Sequence, residues 1–381
     1  MADRPLKQLG GKTPLEAADI PNMDRAARDG IAGMVKTVPD GFTPASDVAN
    51  MSIFGYDPAK YYSGRGPLEA ANMGVKLEKN DVAFRCNLVT VMDGVMKDFT
   101  AGHISDAEAA SLIKHIDENL GTKDIKFYPG VSYRHLTIIK GGPVDIKYTP
   151  PHDITGKPIE DYLPKGNGED LIRGLMRDSV ALLADHPVNK KRIQQGKSPA
   201  DMIWLWGQGK APALPLFKKK YGKTGSVITA VNLIKGIGRL IGLDVVDVPG
   251  ATGYFDTNYA GKAEYAVKSL KKHDFVLVHV ESPDEAGHMG NIREKIRAIE
   301  NFDKFVVGGV MDSMKEDYRV MVLPDHPTPI ELKTHSGDPV PFLIYGSGIK
   351  PDDIRVYNEK EVSRSKLKVA AGHKLLEKLF N

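Results

Sequence analysis

Residues 275–288 read FVLVHVESPDEAGH, and this stretch decides the fold class. It opens with a β-branched, largely apolar run of strand length. The run lacks the alternation of a half-exposed strand, so both of its faces are expected to be covered. Ser282-Pro283 then turns the chain, and Asp284 and His288 follow at a spacing that puts both side chains on one side of a helical turn. Residues 319–326, RVMVLPDH, repeat the plan: an apolar run, then Asp325-His326, with Pro327 and Pro329 behind. His335 comes nine residues later, in Thr334-His335-Ser336-Gly337, ahead of a further apolar run at 342–345. Asp-x-x-x-His is common by itself, and Asp325-His326 alone could be a capped turn. Three such clusters, each just past a strand end of one sheet, point instead to metal ligands. Two aspartates with three histidines suit Mn, Zn, Fe or Co better than Ca. His279, inside the expected strand and near Glu281, reads as a core histidine.

Working outward, further apolar runs at 227–233 and 245–248 alternate with helical patterns. The best of these spans 292–310, where Ile292, Ile296, Ile299, Phe302, Val306 and Val310 recur at three- and four-residue spacing. The expected class is α/β, a core sheet with helices on both faces and its chemistry on loops beyond the strand ends. Helices are also expected at 105–120, 168–183 and 365–380. From 63 to 222, Gly and Pro punctuate the chain heavily (Gly141-Gly142-Pro143, Pro150-Pro151), which reads as a smaller α+β domain inserted into a core made of 1–62 and 223–381. Lys218-Lys219-Lys220 reads as a solvated face. Gly11-Lys12-Thr13 and Gly236-Ile237-Gly238 imitate nucleotide-binding loops but lack the spacing and the flanking elements. Ser46, in Thr43-Pro44-Ala45-Ser46-Asp47, stands at a helical start. An N-cap is the ordinary role for such a serine, and a metal that lowers its pKa would make it a nucleophile.

With 381 residues the chain has room for two domains. Its 52 Lys and Arg against 49 Asp and Glu give a formal charge of only +3, which argues against nucleic-acid or anionic-membrane partners. No apolar run reaches the roughly 20 residues of a membrane span, and the first residues show no signal-peptide pattern. A lone cysteine, Cys86, excludes an internal disulfide framework. A cytoplasmic enzyme is the expectation.

Several segments together resemble the archaeal-type cofactor-independent phosphoglycerate mutases of the alkaline phosphatase superfamily. They are Leu9-Gly10-Gly11-Lys12-Thr13-Pro14, Ser46-Asp47, Phe54-Gly55-Tyr56-Asp57-Pro58, Tyr61-Tyr62-Ser63-Gly64-Arg65, Arg85-Cys86-Asn87, Pro249-Gly250-Ala251-Thr252-Gly253, Pro283-Asp284-Glu285-Ala286-Gly287-His288 and Leu323-Pro324-Asp325-His326-Pro327. The resemblance runs over nearly the whole chain. It implies an alkaline-phosphatase-like core and two divalent ions, Mn2+ foremost, with Zn2+, Co2+ or Mg2+ as alternatives. One ion would be held by Asp284, His288 and His335, the other by Asp325, His326 and the Ser46 oxygen. It further implies that Ser46 takes the phosphoryl group from 3-phosphoglycerate and returns it to the 2-oxygen, without 2,3-bisphosphoglycerate. Arg85, Arg134, His135 and, more weakly, His103 of the inserted domain would hold this small phosphorylated metabolite, with Lys235 of the core near its phosphate. A homo-oligomer is compatible.

Two departures stand out. Family members begin with an apolar strand whose closing Asp-Gly supplies a ligand to the second ion. Here Met1-Ala2-Asp3-Arg4-Pro5 has nothing ahead of it, so a shortened start or a weakened second ion site is expected, with Asp3 able to compensate only along a changed backbone path. Asn50 stands where the mutases usually carry His. Rival readings are a homoserine-kinase-like phosphotransferase using ATP, a phosphatase, and an inactive homologue.

Overall fold

The computed structural model describes residues 1–315 and 317–381. They form a mixed α/β protein that divides into two compact units, Met1–Tyr62 with Leu214–Asn381, and Ser63–Ala213.

In the first unit, strands Asp244–Val245, Gly225–Ile228 and Phe275–Val278 make a parallel three-stranded sheet in that order. Parallel neighbours need crossovers, which helices Asn232–Leu240 and Tyr259–Leu270 provide. A second sheet runs Arg319–Val322, Val340–Gly346, Ile31–Val35, Lys368–Val369. Its first two pairings are antiparallel, with Ile31 opposite Ile344 and Val35 opposite Val340, and its last is parallel. Gly33 allows that last pairing, because a Cβ there would stand 2.3 Å from the Leu367 carbonyl oxygen. The strands preceding Asp284 and Asp325 therefore belong to two sheets, where one was expected. Met23, Ala26 and Ala27 of helix Pro21–Arg28 pack with Ile299, Val307 and Leu343 in the core over the second sheet.

Three sequence expectations change on folding. The run 227–233 stays extended only to Ile228; Thr229 Oγ1 accepts the Val231 N–H and a helix begins at Asn232. The helix expected over 365–380 is replaced by strand Lys368–Val369 and two short helical turns, because Leu367 and Val369 carbonyls accept the Met34 and Lys36 N–H groups at the sheet edge. The pattern at 292–310 is helical throughout, but Phe302–Gly308 is wound as a π-helix. There Asp303 turns inward to accept the backbone N–H groups of Asn22 and Met23, capping helix Pro21–Arg28.

The second unit is built on the long strand Asp81–Met92, flanked antiparallel by Arg134–Lys140 and Met202–Lys210. Ile125–Val131 and Val95–Asp98 complete a five-stranded sheet. Alternation divides its faces. Phe84, Cys86 and Leu88 join the core with Leu112 and Ile116 of helix Asp106–Leu120 and with Ile172 and Met176 of helix Glu169–Ala184. Ala83, Leu136 and Ile138 pack with Ala70 of helix Arg65–Asn72 on the other side. Ser105 caps its helix in a capping box with Glu108. The boundary expected at 222/223 falls instead between Ala213 and Leu214. Phe217 of helix Phe217–Tyr221 is buried in the first unit, stacked 5.3 Å from Phe275 and edge-on to Phe380, which ties the segment there.

Candidate active site

Ser46 is the first residue of helix Ser46–Ile53, and Ala45, in extended conformation, takes the capping position expected of Ser46. The Ser46 side chain is therefore not consumed by a cap. Its Oγ lies 3.0 Å from His326 Nε2. One turn along the helix, Asn50 donates from Nδ2 to the Ser46 carbonyl (2.9 Å) and to Asp325 Oδ2 (3.0 Å), tying the serine's helix to the loop after Arg319–Val322. Thr37 Oγ1 donates to the Asp325 carbonyl, and Asp325 Oδ1 accepts the His326 N–H.

Asp284 and His288 share helix Ser282–His288, with Asp284 Oδ2 3.1 Å from His288 Nε2. His335 Nε2 stands 3.5 Å from Asp284 Oδ1 and 2.9 Å from His288 Nε2. The rings of His335 and His326 are 4.0 Å apart between centroids. Each of the first two histidines is oriented through its other nitrogen: His288 Nδ1 donates to the Lys333 carbonyl at 3.0 Å, and His335 Nδ1 to the Pro44 carbonyl at 3.2 Å. Carbonyls only accept, so both Nδ1 atoms carry the donated proton, and the two Nε2 atoms face each other and Asp284.

That arrangement has a definite electrostatic cost. Burial disfavours charge on Asp284, yet hydrogen bonds from His288 and His335 outweigh it and hold the carboxyl well below the usual range. His288 rises to about 9, chiefly through its hydrogen bond to Asp284. Burial opposes ionisation of Asp325 too, and the charges of His326 and His279 bring it down. Glu281 is pushed well above its ordinary value by burial and by Asp284 and Asp325. A proton thus sits where the two Nε2 atoms converge, beside a concentration of carboxylate charge. A divalent cation bound by one carboxylate and two imidazoles would take the place of that proton, and the ligand atoms of Asp284, His288 and His335 all lie within 4.8 Å of one another.

Several neighbours escaped the sequence reading. The strand expected to reach Val280 ends at Val278, so His279 and Glu281 lie beyond it, 3.4 Å apart, with Asp325 and Asp284 acting on both. Lys262 donates to the His279 carbonyl, and burial lowers its amine to about 8. Asp3 cannot stand in as a ligand, because its carboxylate is paired with Lys295 Nζ at 2.6 Å, both side chains fully buried. Lys235, expected near a phosphate, has its amine on Asp247 at 2.6 Å.

In the second unit, Arg85 and Arg134 come together with Arg65, which spacing did not mark. The Arg85 guanidinium lies 4.7 Å over the Trp206 ring, with Arg65 5.5 Å from the same ring. Arg134 lies 5.3 Å over Tyr133. The Nε atoms of Arg85 and Arg134 are buried and have no hydrogen-bond partner among the described residues. Burial lowers the Arg85 pKa; Glu69 opposes this, and the charges of Arg65 and Arg134 add to it. Convergent guanidinium groups, with the Nε donors of Arg85 and Arg134 making no hydrogen bond among the described residues, suit an anion bearing carboxylate or phosphate. His135 does not contribute the cation expected of it. Strand alternation turns it opposite Cys86 and away from Arg134, into the core at 0% exposure, where burial holds it neutral with a pKa of about 3. Its Nδ1 accepts the Gly130 N–H. His103 is exposed in a turn, with left-handed backbone.

A family profile described as 2,3-bisphosphoglycerate-independent phosphoglycerate mutase matches residues 27–189. A protein so named from Methanosarcina acetivorans is 53% identical over 373 residues, spanning 96% of this chain and 94% of the relative. Among solved structures, a Pyrococcus horikoshii protein superposes with a TM-score of 0.84 at 32% identity, covering 100% of this chain and 94% of the other. A cofactor-independent phosphoglycerate mutase from Thermoplasma acidophilum gives a TM-score of 0.66 at 30% identity, covering 100% and 96%.

Proposed function

The chain belongs to the 2,3-bisphosphoglycerate-independent phosphoglycerate mutase family, and we propose that it interconverts 3-phosphoglycerate and 2-phosphoglycerate through a phosphoserine at Ser46. The observation that carries this reading is the contact of Ser46 Oγ with His326 Nε2, inside a cluster that also holds Asp284, His288, Asp325 and His335. On this reading the first unit is the alkaline-phosphatase-like core and the second, with its arginines, binds substrate. Asp284, His288 and His335 would hold one divalent ion, and Asp325, His326 and Ser46 a second. Bound there, Mn2+ or a similar ion would make the serine alkoxide accessible and offset the charge of the phosphoryl oxygens.

The chain's own groups do the rest. Helix Ser46–Ile53 presents the serine oxygen at its N-terminus, where backbone N–H groups favour an incoming phosphate. Ser46 Oγ forms a bond to phosphorus as the bond to the 3-oxygen of glycerate breaks. Once the glycerate has turned, its 2-oxygen attacks the same phosphorus and Ser46 Oγ leaves. Arg65, Arg85 and Arg134 hold the carboxylate and phosphate, each able to use paired N–H donors. Asn50 keeps the serine's helix in register with Asp325.

Phosphorus NMR tests the proposal directly. With Mn2+ and without 2,3-bisphosphoglycerate, 3-phosphoglycerate should convert to its 2-isomer. A chelator should bring the rate to background, and returned Mn2+ should restore it. Release of inorganic phosphate without isomer would make the protein a phosphatase; turnover only with ATP and homoserine would make it a kinase.

A further inference from the structure

Trp206 carries two of the three arginines on its ring. The Arg85 guanidinium stands 4.7 Å from the ring centroid and that of Arg65 5.5 Å. The indole is 2% exposed, and its Nε1 donates to Asn87 Oδ1 at 3.0 Å, which fixes the plane of the ring.

The backbone is shaped to bring these side chains together. Arg85 and Trp206 are opposite each other in the pairing of strands Asp81–Met92 and Met202–Lys210. The register shifts between Ala83 and Arg85, where Gly207, in left-handed conformation, belongs to a stretch of the second strand with one extra residue. A Cβ on Gly207 would lie 3.3 Å from Arg65 Cβ, so the bare position lets helix Arg65–Asn72 come close. At Gly64, just ahead of that helix, a Cβ would lie 2.2 Å from the Gln208 carbonyl oxygen. One turn along the helix, Glu69 Oε2 stands 3.9 Å from Arg85 Nε, too far for a hydrogen bond.

Neighbouring guanidinium groups repel, and burial disfavours charge on Arg85 further. A carboxylate in direct contact would hold such a cation, but it would occupy the N–H fork that a ligand needs. An aromatic face attracts the cation through its quadrupole and takes no N–H. Arg134 is held in the same way over Tyr133. The buried Nε of Arg85 and that of Arg134 make no hydrogen bond among the described residues, as this division of labour requires.

We infer that Trp206 is a positioning residue for substrate binding: its ring carries the Arg65 and Arg85 guanidinium groups without taking an N–H from either, so that the Arg85 fork can meet an anionic substrate. The inference rests on the proposal that these arginines bind 3-phosphoglycerate.

The test uses the whole chain with 3-phosphoglycerate as the probe. Binding is read by calorimetry and by 15N-arginine side-chain spectra, so turnover is not needed. In the unsubstituted protein the Arg85 Nε–H signal, identified by its loss in Arg85→Lys, should show the ring-current shift of a group over an indole. It should move when 3-phosphoglycerate is added. Trp206→Leu should bind about 10-fold more weakly, the worth of a desolvated cation–π contact. Trp206→Phe, which keeps an aromatic face, should recover most of that loss. In an Arg85→Met background Trp206→Leu should cost clearly less, because the two residues act as a pair. A fully additive cost would mean that Trp206 acts by packing and would overturn the inference, as would undiminished binding by Trp206→Leu. An Arg85 Nε–H signal that lacks the shift, or stays still while 3-phosphoglycerate binds, overturns it without any Trp206 variant having to fold. Absence of binding by the unsubstituted protein is a different failure: it removes the substrate reading of the arginines, and the role of Trp206 with it.

Discussion

The carboxylate and imidazole cluster of the first unit and the arginine group of the second solve opposite electrostatic problems. In the cluster, side chains answer one another: Asp325 to Asn50, Asp284 to Thr328 and His288, His326 to Ser46. Among the arginines, Arg85 and Arg134 lie over aromatic faces while each keeps a buried Nε without a hydrogen bond among the described residues, that of Arg85 standing 3.9 Å from Glu69 Oε2. Buried polar atoms are ordinarily satisfied, and exceptions call for an explanation. A network already connected holds its geometry through a reaction, whereas unused donors wait for an anion to complete them. Substitutions in the two regions should therefore fail in different ways.

The largest effect should come from Ser46→Ala. Loss of the only atom proposed to carry the phosphoryl group should lower kcat by at least about 10^4-fold, because members of a catalytic unit are not individually dispensable. Calorimetric Mn2+ binding at Asp284, His288 and His335 should survive. A phosphoenzyme formed at the ordinary yield by this variant would remove Ser46 from the reaction and break the contrast between the regions.

Lys295→Met should come next, as a stability effect. Removing one partner of a buried ion pair leaves Asp3 charged and uncompensated, at a cost of about 3–5 kcal/mol, readable by urea unfolding. Replacing Asp3 with Asn in the same chain should recover much of the loss; no recovery would mean that Lys295 acts mainly through its bonds to the Thr328 and Ala2 carbonyls.

Arg85→Lys keeps the charge and loses the planar fork. KM for 3-phosphoglycerate should rise about 10-fold, the worth of one charge-assisted hydrogen bond, with Mn2+ affinity untouched. A variant that changed Mn2+ affinity and left KM alone would contradict the assignment of the arginines to the anion.

At neutral pH the smallest expected effect belongs to His135, whose folded pKa of about 3 lies below its unfolded value near 6.5. The unfolded chain therefore takes up a proton that the folded chain refuses. Stability from this group is fully present above pH 6.5 and drains away as pH falls towards 3, by at most about 1.4 kcal/mol per pH unit. His135→Asn should flatten that part of the pH–stability curve, and an unchanged slope would show that His135 is not the group responsible.

Asp284, His288, Asp325 and His326 could be named in advance because each carries a local mark, a spacing of four on a helical turn or a ligand pair closing an apolar run; His335 was named for its place ahead of the next apolar run, and Ser46, an ordinary N-cap by pattern, through the family resemblance. Helices such as Asp106–Leu120 and Glu169–Ala184 were legible for the same reason, since periodicity and capping act within a few residues. Asn50, Thr328, Lys295 and Asp3 carry no such mark. An asparagine on a helix or a lysine beside a glutamate looks like surface until the fold brings a carboxylate or carbonyl 275 to 293 positions away into contact. The segment 365–380 misled because its apolar residues serve a sheet edge, and no helix forms there.

By itself the sequence marked candidate ion-binding side chains, the bounds of a few regular elements such as helices Asp106–Leu120 and Glu169–Ala184, and that Cys86 has no partner for a disulfide. Tertiary structure alone decided the rest. It split the expected single sheet in two, put His135 in the core one residue from an arginine on the opposite face, and brought Ser46 Oγ to His326 Nε2. Local patterns bias a backbone over a turn or a strand, but burial, tautomer and ion pairing depend on what lies across space.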